Sequence, residues 1–246
     1  MPDKEIRILH IDNEKSWRGG QQQAFYLHQG LTEKNIFSLF ICNSNSEIQN
    51  RLRKQKLPVK IVNMLGEIDL IAAYKISKIC KIEKINIIQA HSGHALTIAL
   101  LAKLFYRKVK LIGVRRVDFH IKKNFFSKWK YNSNLLNKII CVSEAIKNVL
   151  INDNIAGSKL LTIHDGIDIN RFSNFQFSPD LKKSYNIPLE NIVVGTVAAF
   201  VGHKDYPNLI NAAKIVCNRI NNVTFLALGN GELKTDMENL VTQLNI

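Results

Sequence analysis

The sequence predicts an α/β protein with two doubly wound parallel-sheet domains, the second incomplete. Three observations carry this. Short apolar runs recur along the chain, and most are followed by a segment with apolar residues at helical spacing. The runs are apolar nearly throughout instead of alternating with polar residues, as in strands covered on both faces. A polar stretch at 173–190, holding Pro179 and Pro188, divides two such series. The expected organisation is a first domain at 1–172, a linker at 173–190 and a partial second domain at 191–246.

In order, residues 6–11 (IRILHI) read as a first buried strand. The loop DNEKSWRGG follows, then a helical pattern from Gln21 to about Lys34. The pair Gly19-Gly20 reads either as a plain tight turn or as a place where backbone approaches a ligand closely. Strands are expected at 37–42 and 59–62, with a basic helix or turn at 48–56. Residues 68–84 carry Ile68, Ile71, Ala72, Ile76, Ile79, Cys80 and Ile82 at helical spacing, a helix expected to pack on the sheet with its lysines in water. Strand 87–90 ends in AHSGHA before a helix at 95–105. His91, at a strand carboxyl end, can meet a ligand hydroxyl or can cap the helix that follows. After strand 111–114 comes GVRRVDFHIKKNFFSKWKYN, where Arg115, Arg116, Lys122, Lys123, Lys128 and Lys130 are interleaved with Phe119, Phe125, Phe126, Trp129 and Tyr131. That mixture suits an anionic membrane interface, single-stranded nucleic acid, or a solvated helix with its aromatics on the core. Strand 138–142 leads into Ser143, a good N-cap, with Glu144 in the first helical turn. Strand 159–164 runs into HDGIDINRF, a turn that closes the domain. A short helix at about 179–185 is compatible with the linker.

The second domain opens with an apolar run at 192–201, a Gly-His-Lys loop, a helix from Tyr206 to about Ile220, and a second run at 223–228 ending in Gly-Asn-Gly. This is one βαβ unit. Lys204, Gly229 and Gly231 lie beyond the strand ends, where backbone amides and a lysine can receive a phosphate. A last helix begins at Glu232, with Leu233, Met237, Leu240 and Leu244 on one stripe.

Composition bounds the function. Four cysteines, Cys42, Cys80, Cys141 and Cys217, stand far apart in apolar segments and read as buried thiols in a reducing cytoplasm. No Cys/His spacing suggests zinc, and no G-x-G-x-x-G follows a strand as a dinucleotide site requires. The net charge of +14 fits nucleic acid, an anionic membrane or anionic substrates. With no recognised nucleic-acid motif, nucleic acid is not an expected partner. No run of about 18 apolar residues would span a membrane, and the N-terminus lacks signal-peptide shape, so a cytoplasmic location is expected.

The stretch V-G-T-V-A-A-F-x-x-H-K-D-Y-P-N-L-I-x-A-A at 194–213, followed by L-A-L-G-N-G-E-L at 226–233, resembles the start of the nucleotide-sugar domain of retaining glycosyltransferases of family 4. Four shorter matches occur in order: Trp17-x-Gly19-Gly20, Ile88-x-x-His91, Val142-Ser143-x-Ala145-Ile146-Lys147, and Gly166-Ile167-Asp168 with Phe172. The resemblance implies the GT-B fold, two Rossmann-like domains, with an acceptor on the first and a nucleotide-diphosphate sugar on the second. It implies no metal and no other cofactor. By the same resemblance Gly19 and Gly20 lie near the donor phosphates, His91 is the catalytic-site histidine, and Lys204, Gly229 and Gly231 bind the diphosphate. Arg115, Arg116 and Asp118 of R-R-V-D-F would lie on the acceptor face, as would Trp17; members with this stretch act on lipopolysaccharide or related cell-surface glycans. The implied partners are the nucleotide sugar, a glycan or lipid-linked acceptor, and peripheral contact with the inner membrane face. Two departures stand out. The family commonly has an arginine five residues before the loop lysine, where this chain has Ala199. The family's E-x7-E carboxylates come later than Ile246. The chain is thus expected to be a fragment, one half of a split enzyme, or a non-catalytic glycan-binding remnant.

Overall fold

The computed structural model describes residues 5–121, 125–173 and 179–246, arranged in two compact units, Met1–Ile167 and Asp168–Ile246. The division falls between Ile167 and Asp168, against an expected first-domain end at 172.

The first unit alternates strand and helix: β1 (Arg7–Ile11), α1 (Gly19–Glu33), β2 (Phe37–Cys42), α2 (Glu47–Lys54), β3 (Val59–Ile61), α3 (Leu70–Ile82), β4 (Ile87–Ala90), α4 (Gly93–Phe105), β5 (Lys110–Arg115), α5 (Phe125–Asn132), β6 (Lys138–Cys141), α6 (Glu144–Asn152) and β7 (Leu160–Thr162). The seven strands are all parallel in the order β3-β2-β1-β4-β5-β6-β7. This is the doubly wound order, and it reverses direction between β1 and β4, where such folds bind ligands.

Alternation along each strand assigns its residues to one of two cores. Leu9 and Ile11 of β1, with Leu39 and Ile41 of β2, join the large cluster under α3, α4 and α6. Phe40 and Cys42 of β2 face the other way, onto Ala24 and Phe25 of α1 and Ile48 and Leu52 of α2. The period of two therefore puts His10, between Leu9 and Ile11, on the α1 side.

The helices start where a short polar side chain satisfies the first turn. Ser46, Asp69, Ser92 and Ser143 each accept a hydrogen bond from the backbone N–H three residues on. The first helix, α1, starts differently: Arg18 precedes it without a side-chain cap.

Several boundaries differ from expectation for a physical reason. α1 begins at Gly19 and α4 at Gly93, two residues before the expected starts, because a first-turn glycine reads as loop when only propensity is weighed. β7 and β8 end before their apolar runs do. In α3 the buried residues are Ala72, Ala73, Ile76, Ser77 and Cys80. Ile68, Ile71 and Ile82 instead face out, at 63%, 71% and 72% exposure, which corrects the expectation that they pack on the sheet. Lys122 and Lys123 lie outside the described residues; in α5 Tyr131 is buried and Trp129 is exposed.

The second unit has a short helix α7 (Asn170–Ser173), which sequence spacing does not anticipate, and α8 (Pro179–Ser184), which it does. The βαβ unit follows: β8 (Ile192–Val197), α9 (Tyr206–Cys217) and β9 (Val223–Leu228), with α10 (Lys234–Leu244) after it. β8 and β9 pair in parallel as a two-stranded sheet. Phe200, Tyr206, Ile210 and Met237 make its small core. An apolar cavity of about 640 Å³ opens between the sheet, α9 and α10. Ile192 and Val197 are 60% and 82% exposed, and α10 buries only Met237.

So little burial on α10 leaves it close to local unfolding. Its amide protons are expected to exchange on the order of a hundredfold faster than those of β1 and β4, because opening energies run from near zero to the global value. Native-state hydrogen exchange followed by mass spectrometry checks this; equal protection would show that Met237 and the partly buried Leu240, Val241 and Leu244 hold α10 as firmly as a full core does.

Candidate functional site at the strand carboxyl ends

The first unit's polar side chains gather where the strand order reverses. His10, in β1, and His91, just beyond β4, lie on neighbouring strands and are 0% and 7% exposed. His10 Nδ1 and His91 Nε2 are 3.0 Å apart. His91 also donates its backbone N–H to Ile11 O at 3.0 Å, which fixes the ring at the strand end. Its ring lies nearly parallel to Phe40, with centroids 6.1 Å apart. His91 Nδ1 faces Arg116 Nη1 at 3.5 Å.

This chain of contacts fixes the tautomers. A guanidinium only donates, so His91 Nδ1 carries the lone pair and His91 Nε2 the proton. That proton goes to His10 Nδ1, which leaves His10 protonated at Nε2. His10 Nε2 has no hydrogen-bond partner among the described residues. His28 of α1, edge-on to His10, contacts Pro58 O through Nε2 at 3.1 Å and therefore accepts from Ser38 Oγ at Nδ1, 2.6 Å away. Burial pushes all three imidazoles down, His10 to about 3 and His28 to about 4. His91 falls well below its ordinary value, through burial first and then its His10, Arg116 and His28 neighbours.

Around this pair the loops supply charge. Arg116 Nε donates to Asp165 Oδ2 at 3.0 Å, which ties the end of β5 to the loop after β7. That loop is also held by Gln23 Nε2, which donates to Gly166 O at 2.9 Å. Asp12, fully buried, accepts from Glu14 N and Gln21 Nε2 at 2.9 and 3.0 Å. Burial raises its carboxyl above the ordinary carboxylate value, against those two hydrogen bonds. Ser92 caps α4 and also donates to Asn13 Oδ1, while Asn13 Nδ2 contacts His94 Nδ1 at 2.9 Å.

The site residues expected from sequence are thus partly gathered. His91, Arg116 and Gly20 come together: a Cβ on Gly20 would lie 3.7 Å from Arg116 Cδ. Gly19 faces open space at the first turn of α1. Arg115 turns elsewhere, donating to Val117 O, Phe119 O and Tyr131 OH. Asp118 is exposed in the loop after β5. Trp17 lies edge-on to Phe25 with the Arg51 guanidinium 4.1 Å above its ring, so it packs with the α1–α2 layer. The sequence reading assigns no site role to His10, Asp12, Gln21 or Asp165. The signal for His10 and Asp12 was a polar residue inside, and one just after, a strand otherwise apolar throughout.

In the second unit Lys204 is exposed in a 3-10 turn between β8 and α9. Gly229 and Gly231 have a structural reason of their own. A Cβ at 229 would sit 1.9 Å from Ala198 O and one at 231 2.4 Å from Phe200 O. The turn after β9 is bonded to the loop after β8 through Phe200 N to Asn230 O and Leu233 N to Phe200 O, each 3.1 Å. Among the described residues no group of three or more His, Cys, Asp or Glu side chains is placed to hold a metal ion. No described helix is long and apolar enough to cross a membrane.

Residues 17–171 match the model of Glycosyltransferase Family 4, and the chain belongs to that family. It is 30% identical over 184 residues to the uncharacterized glycosyltransferase MJ1178 of Methanocaldococcus jannaschii, covering 72% of this chain and 46% of the relative. Its fold is that of a glycosyltransferase from Rickettsia africae (TM-score 0.80) and of Anabaena HepE in complex with UDP and glucose (TM-score 0.76). Each is 18% identical over 98% of this chain and 66% of its own. The chain thus has the Rossmann-like parallel sheets of GT-B glycosyltransferases and spans about half of the curated relative and two thirds of the solved structures.

Two predictions follow from the geometry. The histidines are neutral in the fold and titrate near 6.5 when unfolded, so the unfolded state gains protons first as pH falls. Stability is full above pH 6.5 and is lost progressively from there down to about pH 4 and below. Urea midpoints across that range check it; a flat profile would refute the neutral cluster. Separately, Gly231→Ala is expected to destabilise the second unit by about 1–3 kcal/mol through backbone overlap, read as a lower denaturant midpoint.

Proposed function

We propose that the protein acts in the transfer of a sugar from a nucleotide-diphosphate sugar to a cell-envelope glycan or lipid-linked acceptor of the lipopolysaccharide type, on the cytoplasmic side of the membrane. The observation that carries the reading is the placement of His91 and Arg116 at the switch point of a family 4 domain. In this reading a sugar or acceptor hydroxyl replaces the long Arg116 contact at the His91 Nδ1 lone pair, and burial keeps that nitrogen unprotonated at physiological pH. Arg116, positioned by Asp165, faces the acceptor's anionic groups. Gly19 and Gly20 leave room for the ligand at the uncapped first turn of α1, whose free N–H groups favour negative charge. Lys204 neutralises the diphosphate as it leaves, and that contact strengthens as charge develops. Arg115, Asp118 and Trp17 belong to the acceptor side only through the loop and layer they occupy. Gly229 and Gly231 act on the donor indirectly, by shaping the turn beside the lysine loop.

The solved HepE structures include complexes with UDP and UDP-glucose, so UDP-glucose is the first donor to test. Lys204→Ala is expected to raise the donor KM and lower kcat, together cutting kcat/KM about 10²-fold or more, the scale of one lost electrostatic contact in a transition state. Steady-state transfer assays check this, and unchanged kinetics would remove Lys204 from the donor site.

A second reading is a glycan-binding protein without transfer, or one half of a split enzyme. Ala199, standing where the family commonly has arginine, favours it. Glycan binding retained without turnover, even with a donor saturating the site, would select this reading over the first.

A further inference from the structure

We propose that His10 is a positioning residue for His91: by accepting the His91 Nε2 proton inside the fold, it holds the His91 lone pair at Nδ1, the nitrogen that meets the ligand. The consequence for catalysis rests on the sugar-transfer reading; the placement of the proton does not. In the β1–β4 register His10 stands opposite Gln89, and His91 follows two residues later, so both imidazoles fall on the α1 face of the sheet. Their nitrogens meet at 3.0 Å, with the ring centroids 5.2 Å apart.

Comparison with His28 separates this role from that of a plain core residue. His28 uses both ring nitrogens inside the protein, on Ser38 Oγ and Pro58 O, and so ties α1 to β2 and to the residue before β3. His10 contacts His91 through Nδ1 and leaves Nε2 without a partner among the described residues. A buried N–H left unmet is a cost to stability. The packing of His10, stacked on Phe40 with centroids 5.7 Å apart, needs a flat ring and no nitrogen. What the imidazole adds over a phenyl ring is an acceptor for His91.

Nothing else described holds that proton as firmly. The bond from the His91 backbone N–H to Ile11 O fixes where the residue sits, not which ring nitrogen is protonated. The hydrogen bond made by one imidazole nitrogen decides the state of the other. Arg116 Nη1, at 3.5 Å from His91 Nδ1, is a long contact, and in the transfer reading a ligand hydroxyl displaces it. His10 stays in place when that happens. It is fully buried, and burial lowers its pKa to about 3, so Nδ1 remains an acceptor instead of becoming a second donor.

Ring-nitrogen NMR on protein carrying isotope-labelled histidine tests the placement without any substrate, with the His91 signals identified by their absence in His91→Phe. In the wild type His91 is expected as a single tautomer protonated at Nε2, its two nitrogen shifts far apart. In His10→Phe the two shifts are expected to draw together as the proton exchanges between the nitrogens, while the denaturant midpoint stays near that of the wild type. His10→Asn, whose side-chain carbonyl can accept in place of Nδ1, is expected to restore the wild-type pattern. In sugar-transfer assays His10→Phe is expected to lower kcat/KM about tenfold or more, the scale on which a partner that orients a functional histidine acts, and His10→Asn to recover most of it. A His91 protonated at Nδ1 in the wild type would overturn the proposal, whether or not His10→Phe folds. So would His91 signals that His10→Phe leaves unmoved, or a full transfer rate in His10→Phe once the single tautomer is lost. Absence of transfer by the wild type would count against the transfer reading alone, since the ring spectra decide the placement by themselves.

Discussion

The constraint on which the rest depends is that a parallel strand has to be covered on both faces. Its hydrogen bonds run to neighbours in the sheet, and its side chains alternate between two helical layers. In this chain the alternation of β1 and β2 is strict enough that single residues can be assigned to a layer. Leu9, Ile11, Leu39 and Ile41 go to the α3–α4 side, and Phe40 and Cys42 to the α1–α2 side. Crossovers then bring every loop that follows a strand to the same end of the sheet. The neighbours β1 and β4 are separated by a reversal in winding, so their loops diverge and leave a crevice between them. The polar residues of the first unit converge there because the topology leaves nowhere else for a buried, partly open set of hydrogen-bonding groups.

Much of this could be read in the sequence. β2, β4 and β9 match their apolar runs to the residue, because a buried parallel strand has a compact signature. The family resemblance rested on motifs at strand ends, the part of an α/β fold that the physics also marks out. What could not be read was direction. Ile71 and Ile82 belong to a helical pattern, but spacing alone gives two overlapping stripes on α3, and only packing chose the alanine-rich one. Small residues let the helix sit close to the sheet and α4, and that left the isoleucines outside. Arg115 and Arg116 are a similar case: adjacent in sequence, they point to opposite sides at the strand end, one to Tyr131 and its own loop, the other to His91 and Asp165.

The electrostatics of the crevice differ from those of the chain as a whole. The protein carries a net charge of +14, yet its switch point is built from imidazoles that burial keeps neutral. Arg116 adds a charge there and Asp165 balances it. A site arranged this way presents a fixed lone pair and a paired cation, with little free charge to attract water or ions. The positive charge lies in the loops and on the helix surfaces, where it can act at a distance without perturbing the proton positions inside.

The lone N–H of His10 has a consequence for how this domain can change over time. It is fully buried in the α1-side layer of the first unit, stacked on Phe40, with a proton that no described residue accepts. An aromatic hydrocarbon of similar shape would fill the same space and remove an unmet polar group. Selection for robustness alone would therefore tend to erase this histidine, and selection for the orientation of its neighbour across the crevice would tend to keep it. The position records a conflict between durability and purpose, so among related domains its identity should sort those that still use the crevice from those that have only inherited it.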